Sequence, residues 1–445
     1  MKRILSLALT LALTFTLIGC NGGGSVNNNT DGGEFANSKF KLPNYKPTSE
    51  TVKVLTVMDN SMLEDPNQWY YNFNEKLKLE YNVSIEHITT TSNDLPIKAS
   101  QLVLSGSSPD LIEYRAQDDP TFIKNGIVQP VDDLFDFKHP LYKDLKDINE
   151  KFRYKDGKLY TFIRSYRNDG FCYYWLEDLE ELGLETPREL YRKGEWTWSK
   201  FEEYANKLVV KASDGTFSRY GAVVNSNLMH TCTGETLVKY ENGKYTNNLR
   251  SSKLADYFNT ISRMCFQTKV MPSSAGISDL FKTHKASILL DMRNYLDNHL
   301  HEEFSNKWVS FAPVPKWDGS DKYYTPASYG TTWIAKDAKN IDGARAYFAV
   351  WLLLTTGVDP EIEAAVNKLS VTVNGMDDED LALIDEMNDR TKFEYVQIRD
   401  RGLGTDWSAK NRSEFVESVI RWGKPWSTAV EEYYPLLNVA IKESE

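Results

Sequence analysis

Short apolar runs that alternate with amphipathic stretches constrain the fold of this chain more than any other feature of its sequence. The runs have the length and composition of buried strands, as in TVKVLTV at 51–57, PDLIEY at 109–114 and ASILLDM at 286–292. Stretches with helical spacing lie between them, and SKFEEYANKLVV, which begins at Ser199, is one example. Alternation of this kind predicts an α/β protein with largely parallel sheets.

The beginning of the chain is of a different kind. Lys2 and Arg3 precede an apolar run that ends at Cys20. This is the pattern of a secretory signal, and the run is shorter than the roughly 20 residues that a membrane-spanning helix needs. A signal for lipid attachment, an ordinary signal peptide and a buried hydrophobic segment are the alternatives. The stretch 21–50 is rich in Asn, Gly and Ser and predicts a flexible spacer.

Length, charge and cysteine content narrow the class of protein. A chain of 445 residues predicts two or more domains. Its net charge of −11, without a basic block, argues against a nucleic-acid partner. Beyond Cys20, the chain has Cys172, Cys232 and Cys265, an odd number without metal-like spacing. We expect these three to be buried thiols, with one disulfide at most.

Motifs of catalysis do not occur in the sequence. It has no G-x-S-x-G elbow, no Gly-rich phosphate loop after a strand and no H-E-x-x-H pair. His299 and His301 are two residues apart on a predicted helix and would face different directions. The acidic run Asp377–Asp380 is predicted to begin a helix. We therefore predict no catalytic residue, no cofactor and no metal site, although paired carboxylates for glycoside hydrolysis could lie among 63 acidic residues.

Several segments, taken in chain order, carry a resemblance to one known family. They are QLVLSGSSPDLIEY, NGIVQPVDDLF, YKDGKLYTF, YYWLEDLEELGLETPRELYRKGEWTWSKFEEYANKL, FKTHKASILLDM, FAPVPKWDG and GTTWIAKDAKNIDGARAYFAVWL. They resemble elements of the bacterial extracellular solute-binding proteins of family 1, the sugar-binding capture subunits of ABC importers. Some positions depart from the family pattern: Trp175-Leu176 replaces Tyr-Asn, His284 replaces Gly and Ile288 replaces Met. Leu17-Ile18-Gly19-Cys20 resembles the lipobox of bacterial lipoproteins.

The resemblance implies a fold and its division along the chain. The fold is α/β, with two doubly wound lobes joined by a hinge, of the periplasmic-binding-protein-like type II. The implied parts are a lipoprotein signal peptide at 1–19, a tether at 20–50, an N-terminal lobe at 51–165 and 331–400, and a C-terminal lobe at 166–330 and 401–445. The hinge would cross between the lobes within 161–170, 325–331 and 394–405.

The same resemblance implies a function without catalysis. Acylated Cys20 would anchor the mature chain to the outer face of the cytoplasmic membrane of a bacterium. The protein, a monomer without a cofactor, would bind a sugar or oligosaccharide in its cleft and deliver it to an ABC permease. A surface glycoside hydrolase acting on glycans, and a ligand sensor on the same fold, are the alternatives.

The candidate ligand-binding residues follow from strand ends and from the hinge. Ligands of open α/β sheets bind beyond the carboxyl ends of the strands, and sugars combine apolar faces with hydroxyls that suit aromatic and polar side chains. The candidates are Asp59, Asn60, Tyr114, Arg115, Tyr166, Arg167, Trp175, Asp291, Arg293 and Trp333. The alternative interpretation is surface or interlobe packing for Tyr114, and turn chemistry or an interlobe ion pair for Asp59, Asn60 and Arg115. For Asp291 and Arg293 it is an ion pair between neighbours. For Tyr166 and Arg167 it is a hinge role, and for Trp175 and Trp333 it is core packing.

Overall fold

The computed structural model describes residues 51–58, 69–114, 118–139, 141–241, 243–273, 277–293, 295–296, 300–355, 375–396, 403 and 406–444. The strands are β1 Val52–Thr56, β2 Ile85–Thr89, β3 Leu111–Glu113, β4 Ser165–Asn168, β5 Gly170–Trp175, β6 Val210–Lys211, β7 Phe217–Val224, β8 Val238–Glu241, β9 Lys244–Asn247, β10 Ala286–Met292, β11 Val309–Pro313, β12 Tyr323–Gly330, β13 Thr332–Ile334 and β14 Phe393–Val396.

The α-helices are α1 Trp69–Tyr81, α2 Leu95–Leu104, α3 Asp119–Lys124, α4 Lys146–Glu150, α5 Leu176–Glu181, α6 Pro187–Arg192, α7 Trp198–Leu208, α8 Ser226–Met229, α9 Ser252–Phe266, α10 Ile277–Lys282, α11 His301–Ser305, α12 Ile341–Thr355, α13 Asp378–Met387, α14 Arg412–Ile420 and α15 Trp426–Ser444. Among the described residues, no helix has the length and apolar character needed to cross a bilayer.

Sheet A, the sheet of the N-terminal lobe, has the strand order β13-β3-β1-β2. β1 pairs in parallel with both β2 and β3, because the intervening helices return the chain to the same edge of the sheet. β13 returns from far along the sequence and pairs antiparallel with β3. The strands predicted at 51–57 and 109–114 are confirmed, and the sheet is mixed rather than purely parallel.

The side chain of Asp110 links β1 to the turn before α12 in the N-terminal lobe. Its buried carboxylate accepts hydrogen bonds from the backbone N–H groups of Lys53 at 2.9 Å, Lys339 at 2.9 Å and Asn340 at 2.8 Å. These donors belong to β1 and to the turn before α12, so one buried side chain satisfies backbone groups that are more than 200 residues apart in the chain. The Pro-Asp pair in the resemblance therefore has a structural role here.

Sheet B, the sheet of the C-terminal lobe, has the order β11-β5-β10-β7-β6. β5 runs antiparallel to both of its neighbours, whereas β10 and β7 are parallel. Helix α7 packs closely on β7, since a Cβ at Gly221 would lie 1.8 Å from the carbonyl oxygen of Ala205. The side chain of Thr197 caps this helix by accepting from the backbone N–H of Lys200, and the hydroxyl of Ser199 donates to the carboxylate of Asp318.

A smaller sheet of order β14-β12-β4 joins the lobes. β4 continues through Asp169 directly into β5 of sheet B, and β12 continues through Thr331 directly into β13 of sheet A. β4 and β12 pair antiparallel, from Ala327 opposite Asn168 to Gly330 opposite Ser165. The crossings predicted within 161–170 and 325–331 thus lie side by side as a two-stranded hinge. Only part of the crossing predicted at 394–405 belongs to the described residues, where 394–396 lie in β14.

Separate apolar cores surround the two large sheets. Cys172, Cys232 and Cys265 are buried free thiols in the core of sheet B, as predicted. Helix α13, which begins at the acidic run as predicted, and strand β14 also pack against this core. This part of 331–400 was assigned to the N-terminal lobe from the sequence, yet its packing lies with sheet B. Arg188 of α6 adds an ion pair to Asp380 of α13 at 2.6 Å.

Candidate functional site

A cavity of about 170 Å³ opens at the carboxyl ends of β1 and β3, beside the hinge. This is the position where the topology of an open α/β sheet leaves a crevice for a ligand. The lining residues come from both strands, the hinge and α12: Val54, Thr56, Met58, Glu113, Tyr114, Arg164, Tyr329, Gly330, Thr331, Thr332 and Tyr347. The volume is smaller than that of a typical ligand pocket.

The polar side chains of this cavity are held in place by short contacts. Glu113 accepts from the hydroxyl of Thr56 at 2.5 Å and from the backbone N–H of Val57 at 2.8 Å. The buried guanidinium of Arg164 donates to the hydroxyl of Thr332 at 2.8 Å and lies over the ring of Trp351, with its carbon 4.1 Å from the ring centroid. One wall of the cavity therefore carries a carboxylate, a guanidinium and two hydroxyls in fixed positions. These groups can donate hydrogen bonds to a ligand or accept them from it.

Tyr114 gives this cavity an aromatic surface. Its ring is partly exposed and packs at 4.6 Å against the ring of Trp333 and at 5.8 Å against that of Tyr329. Trp333 itself is completely buried between Tyr114 and Phe122, which lies 4.7 Å away. A rigid aromatic face beside hydroxyls and charges is the combination that suits the C–H face of a sugar ring.

A second polar cluster lies where sheet B meets the hinge. Asp291, at the end of β10, is buried and accepts from the side-chain amide of Asn225 at 2.7 Å. The backbone N–H of Arg293 donates to the carbonyl oxygen of Asp169 at 3.2 Å. Arg167 precedes this turn and is exposed on β4. The structure thus brings three predicted residues, Arg167, Asp291 and Arg293, together around Asp169.

The two clusters lie at opposite ends of the same hinge strand. Arg164 comes just before β4 and Asp169 just after it, five residues later. At about 3.3 Å per residue this separates the backbones of the two by roughly 17 Å. The hinge therefore carries one polar cluster on the side of each lobe.

Asp169 has a strongly perturbed acidity. Burial raises its pKa from a usual value near 4 to about 6, aided by the charge of Asp291 and opposed by Arg167 and Arg293. The folded protein therefore binds a proton on Asp169 more tightly than the unfolded chain does. Stability from this group is present below pH 4 and is lost as the pH rises to about 6.

We accordingly expect Asp169→Asn to be more stable than the parent protein at pH 7.5, by up to about 2–3 kcal/mol, and equally stable at pH 4. Urea denaturation at a series of pH values measures this difference. A variant that loses stability at pH 7.5 would contradict the assignment of burial as the dominant cause.

The remaining predicted residues lie elsewhere. Tyr166 donates its hydroxyl to the carbonyl oxygen of Tyr395 at 3.1 Å and packs on that ring, so it serves the hinge. Trp333 is a core residue that supports Tyr114. Trp175 lies at the other end of β5 from Gly170, where its ring stacks on His284 and its indole N–H donates to the carbonyl oxygen of Phe281. The structure therefore corrects the expectation that Trp175 and Trp333 contact the ligand: Trp175 lies at the end of β5 away from the hinge, and Trp333 is buried in the core.

Asp59, Asn60, Arg115 and the lipid-attachment residue Cys20 lie outside the described residues. Sequence reasoning missed Glu113, Arg164, Asp169 and Tyr329, which the fold adds to the two clusters. Glu113 could have been found, since it immediately precedes Tyr114 in the same strand. Arg164 and Asp169 flank the predicted pair Tyr166-Arg167. Only the pairing of β4 with β12 shows that Arg164 lies on the side of sheet A and Asp169 on the side of sheet B.

Solved structures of several bacterial proteins have a similar fold. The chain is similar to a sugar transporter from Rhizobium etli in an open conformation, with 16% identity, a TM-score of 0.65 and coverage of 88% of this chain and 99% of the other. It is similar to UgpB from Mycobacterium tuberculosis in complex with glycerophosphocholine, with 14% identity, a TM-score of 0.65 and coverage of 89% and 99%.

It is also similar to an extracellular solute-binding protein from Staphylococcus aureus in complex with maltose, with 12% identity, a TM-score of 0.62 and coverage of 88% and 97%. No curated protein matches the chain in sequence. The family model described as bacterial extracellular solute-binding protein matches residues 68–360, well over half of the chain. This match agrees with the two-lobed type II fold, and the chain belongs to the bacterial extracellular solute-binding proteins.

Proposed function

We propose that this protein is the lipid-anchored substrate-binding subunit of an ABC importer, and that it captures a sugar or oligosaccharide between its lobes. The observation that carries the proposal is the cavity at the ends of β1 and β3, where the Tyr114 ring lies beside Glu113, Thr56 and Arg164. The maltose complex of the Staphylococcus aureus protein lends support, because that protein has the same fold.

Binding would proceed without breaking a bond in the ligand. The sugar would first rest its apolar face on Tyr114 and exchange hydrogen bonds with Glu113 and Arg164. Rotation about β4 and β12 would then bring Asp291 and Arg293 of the other lobe onto its free hydroxyls. The closed form is the one that a permease would recognise, since the relative position of the lobes reports that the cleft is filled.

A panel of ligands tests the sugar assignment. Maltose, maltotetraose, mannitol, glycerophosphocholine, amino acids and short peptides are each added to the mature protein, and stability is followed by thermal unfolding and calorimetry. A ligand at one hundred times its Kd stabilises the protein by about 2.7 kcal/mol. We expect a saccharide to do so and to be recovered intact. Stabilisation by peptides alone would contradict the sugar assignment, and cleavage of the saccharide would contradict a role limited to binding.

Cys20→Ala tests the anchor separately from the site. A diacylated cysteine holds a protein at a membrane, whereas a single acyl chain binds only marginally. We expect the variant to be released into the medium or to remain as an unprocessed precursor, with ligand affinity unchanged. The spacer of about 30 residues, with a reach of roughly 30 Å, separates the anchor from the cleft. Retention of fully processed Cys20→Ala protein at the membrane would contradict lipid attachment, and a fall in affinity would contradict the tether.

A further inference from the structure

A groove on the C-terminal lobe, at the end of sheet B away from the hinge, is lined mainly by acidic side chains. Its volume is about 470 Å³, and it is lined by Glu177, Asp178, Glu180, Glu181 and Arg219. Four carboxylates face one guanidinium, so the groove has an excess of negative charge. It adjoins the Trp175 end of β5, whereas Asp169 and Asp291 lie at the opposite, hinge end of sheet B.

His284 brings an imidazole to the two carboxylates that begin helix α5. Its Nδ1 lies 3.2 Å from Oε1 of Glu177, and its Nε2 lies 3.0 Å from Oδ1 of Asp178. One donor atom from each of the three residues can be chosen so that all lie within 4.8 Å of one another. Stacking on Trp175, with a centroid separation of 4.0 Å, fixes the ring.

The carboxylate of Asp178 supplies a second, independent observation. This side chain is fully buried, and Arg219 and His284 both contact its Oδ1. Its Oδ2 has no hydrogen-bond donor among the residues that the structure describes. A buried carboxylate oxygen without a partner is costly in a folded protein, and a cation bound beside the groove would satisfy it.

The backbone at His284 also departs from what a histidine prefers. Its φ of 54° lies in the left-handed region that favours glycine. In this conformation each ring nitrogen of His284 lies within 3.2 Å of a carboxylate oxygen.

We propose that Glu177, Asp178 and His284 bind a divalent transition cation of the zinc type. Mixed imidazole and carboxylate ligands suit Zn²⁺ rather than Mg²⁺ or Ca²⁺, which prefer oxygen alone. Asp178 offers Oδ2, His284 offers one ring nitrogen, and Glu177, whose side chain is 69% exposed, moves to complete the set. Arg219 stays on Oδ1 of Asp178 or turns to Glu181, whose carboxylate lies 3.8 Å from its Nη2. Water would fill the remaining coordination position.

Titration of the untagged mature protein with ZnCl₂, MgCl₂ and CaCl₂ tests the site by calorimetry and thermal unfolding. We expect one Zn²⁺ per chain, with Mg²⁺ and Ca²⁺ bound far more weakly. His284→Gly and Glu177→Gln should each weaken Zn²⁺ binding at least about tenfold. His284→Gly is expected to fold, because glycine tolerates the backbone conformation at this position.

The control variant is His87→Gln, which removes an imidazole from β2 in the other lobe and should leave Zn²⁺ binding unchanged. The proposal is overturned if the parent protein shows no saturable Zn²⁺ binding. It is equally overturned if the His284→Gly variant, folded by circular dichroism, binds Zn²⁺ as tightly as the parent, or if Ca²⁺ competes on equal terms.

Discussion

Tyr114→Ala is expected to weaken binding of the sugar ligand by about ten- to hundredfold, corresponding to about 1.4–2.7 kcal/mol. The Tyr114 ring is the partly exposed aromatic face of the cavity, and Trp333 and Tyr329 hold it in one orientation. A ring that is already fixed loses little further entropy when a sugar packs on it, so most of the contact energy contributes to affinity. Calorimetry with the saccharide that stabilises the parent protein measures the effect.

Two variants separate ligand contact from general damage to the fold. Tyr114→Phe keeps the ring and should retain most of the affinity. Trp308→Ala removes a ring that is 50% exposed and borders β11 of the other lobe, away from the cavity, and it should leave affinity unchanged. If Tyr114→Ala, shown to be folded, binds the saccharide as tightly as the parent, the assignment of the cavity is wrong.

Asp110→Ala is expected to destabilise the N-terminal lobe by about 3–5 kcal/mol. The substitution removes a charged acceptor and leaves the N–H groups of Lys53, Lys339 and Asn340 without it. Lys53 belongs to β1, and Lys339 and Asn340 belong to the turn before α12, so the substitution removes the acceptor that these two segments share. Urea denaturation should show a lower midpoint, and the change should be confined to the transition of this lobe if the lobes unfold separately.

Asp110→Asn should fall between the parent and Asp110→Ala, since its amide oxygen still accepts from part of the set. The matched control is Asp214→Ala. Asp214 also accepts from backbone and hydroxyl donors, both of Thr216, but it lies in an exposed turn where water takes its place. We expect the control to cost much less than Asp110→Ala. If the two substitutions lower the free energy of unfolding equally, the hydrogen bonds of Asp110 do not stabilise the lobe.

Elements with a strong local pattern could be predicted from the sequence. The buried strand at 286–292 and the helix in the stretch that begins at Ser199 are confirmed, because periodic apolar spacing can be recognised within a window of ten or fifteen residues. The hinge crossings at 161–170 and 325–331 followed from the family resemblance, and the pairing of β4 with β12 is in agreement. The placement of 375–396 against sheet B could not be predicted in this way, since the apolar face of α13 does not specify which core it covers.

In the candidate site, too, some residues could be predicted from the local sequence and others only from contacts between distant segments. The prediction of Tyr114 rested on its position at the end of a strand, and the structure places it at the cavity. The aromatic residues Trp175 and Trp333 looked equivalent in the sequence, yet the first lies at the far end of sheet B and the second is wholly buried. Aromatic side chains serve cores and ligand sites alike, so composition alone does not distinguish the two roles.

The sequence by itself determined the α/β class, the order of strands and helices, and the family, because these depend on short-range periodicity and on motifs in a fixed order. Only the tertiary structure decided which polar groups meet. Arg164 lies beside Thr332, Asp110 beside Asn340, and Asp178 beside His284, at separations of 168, 230 and 106 residues. Such contacts depend on how the sheets pair and how the chain crosses the hinge, and no local pattern in the sequence records that choice.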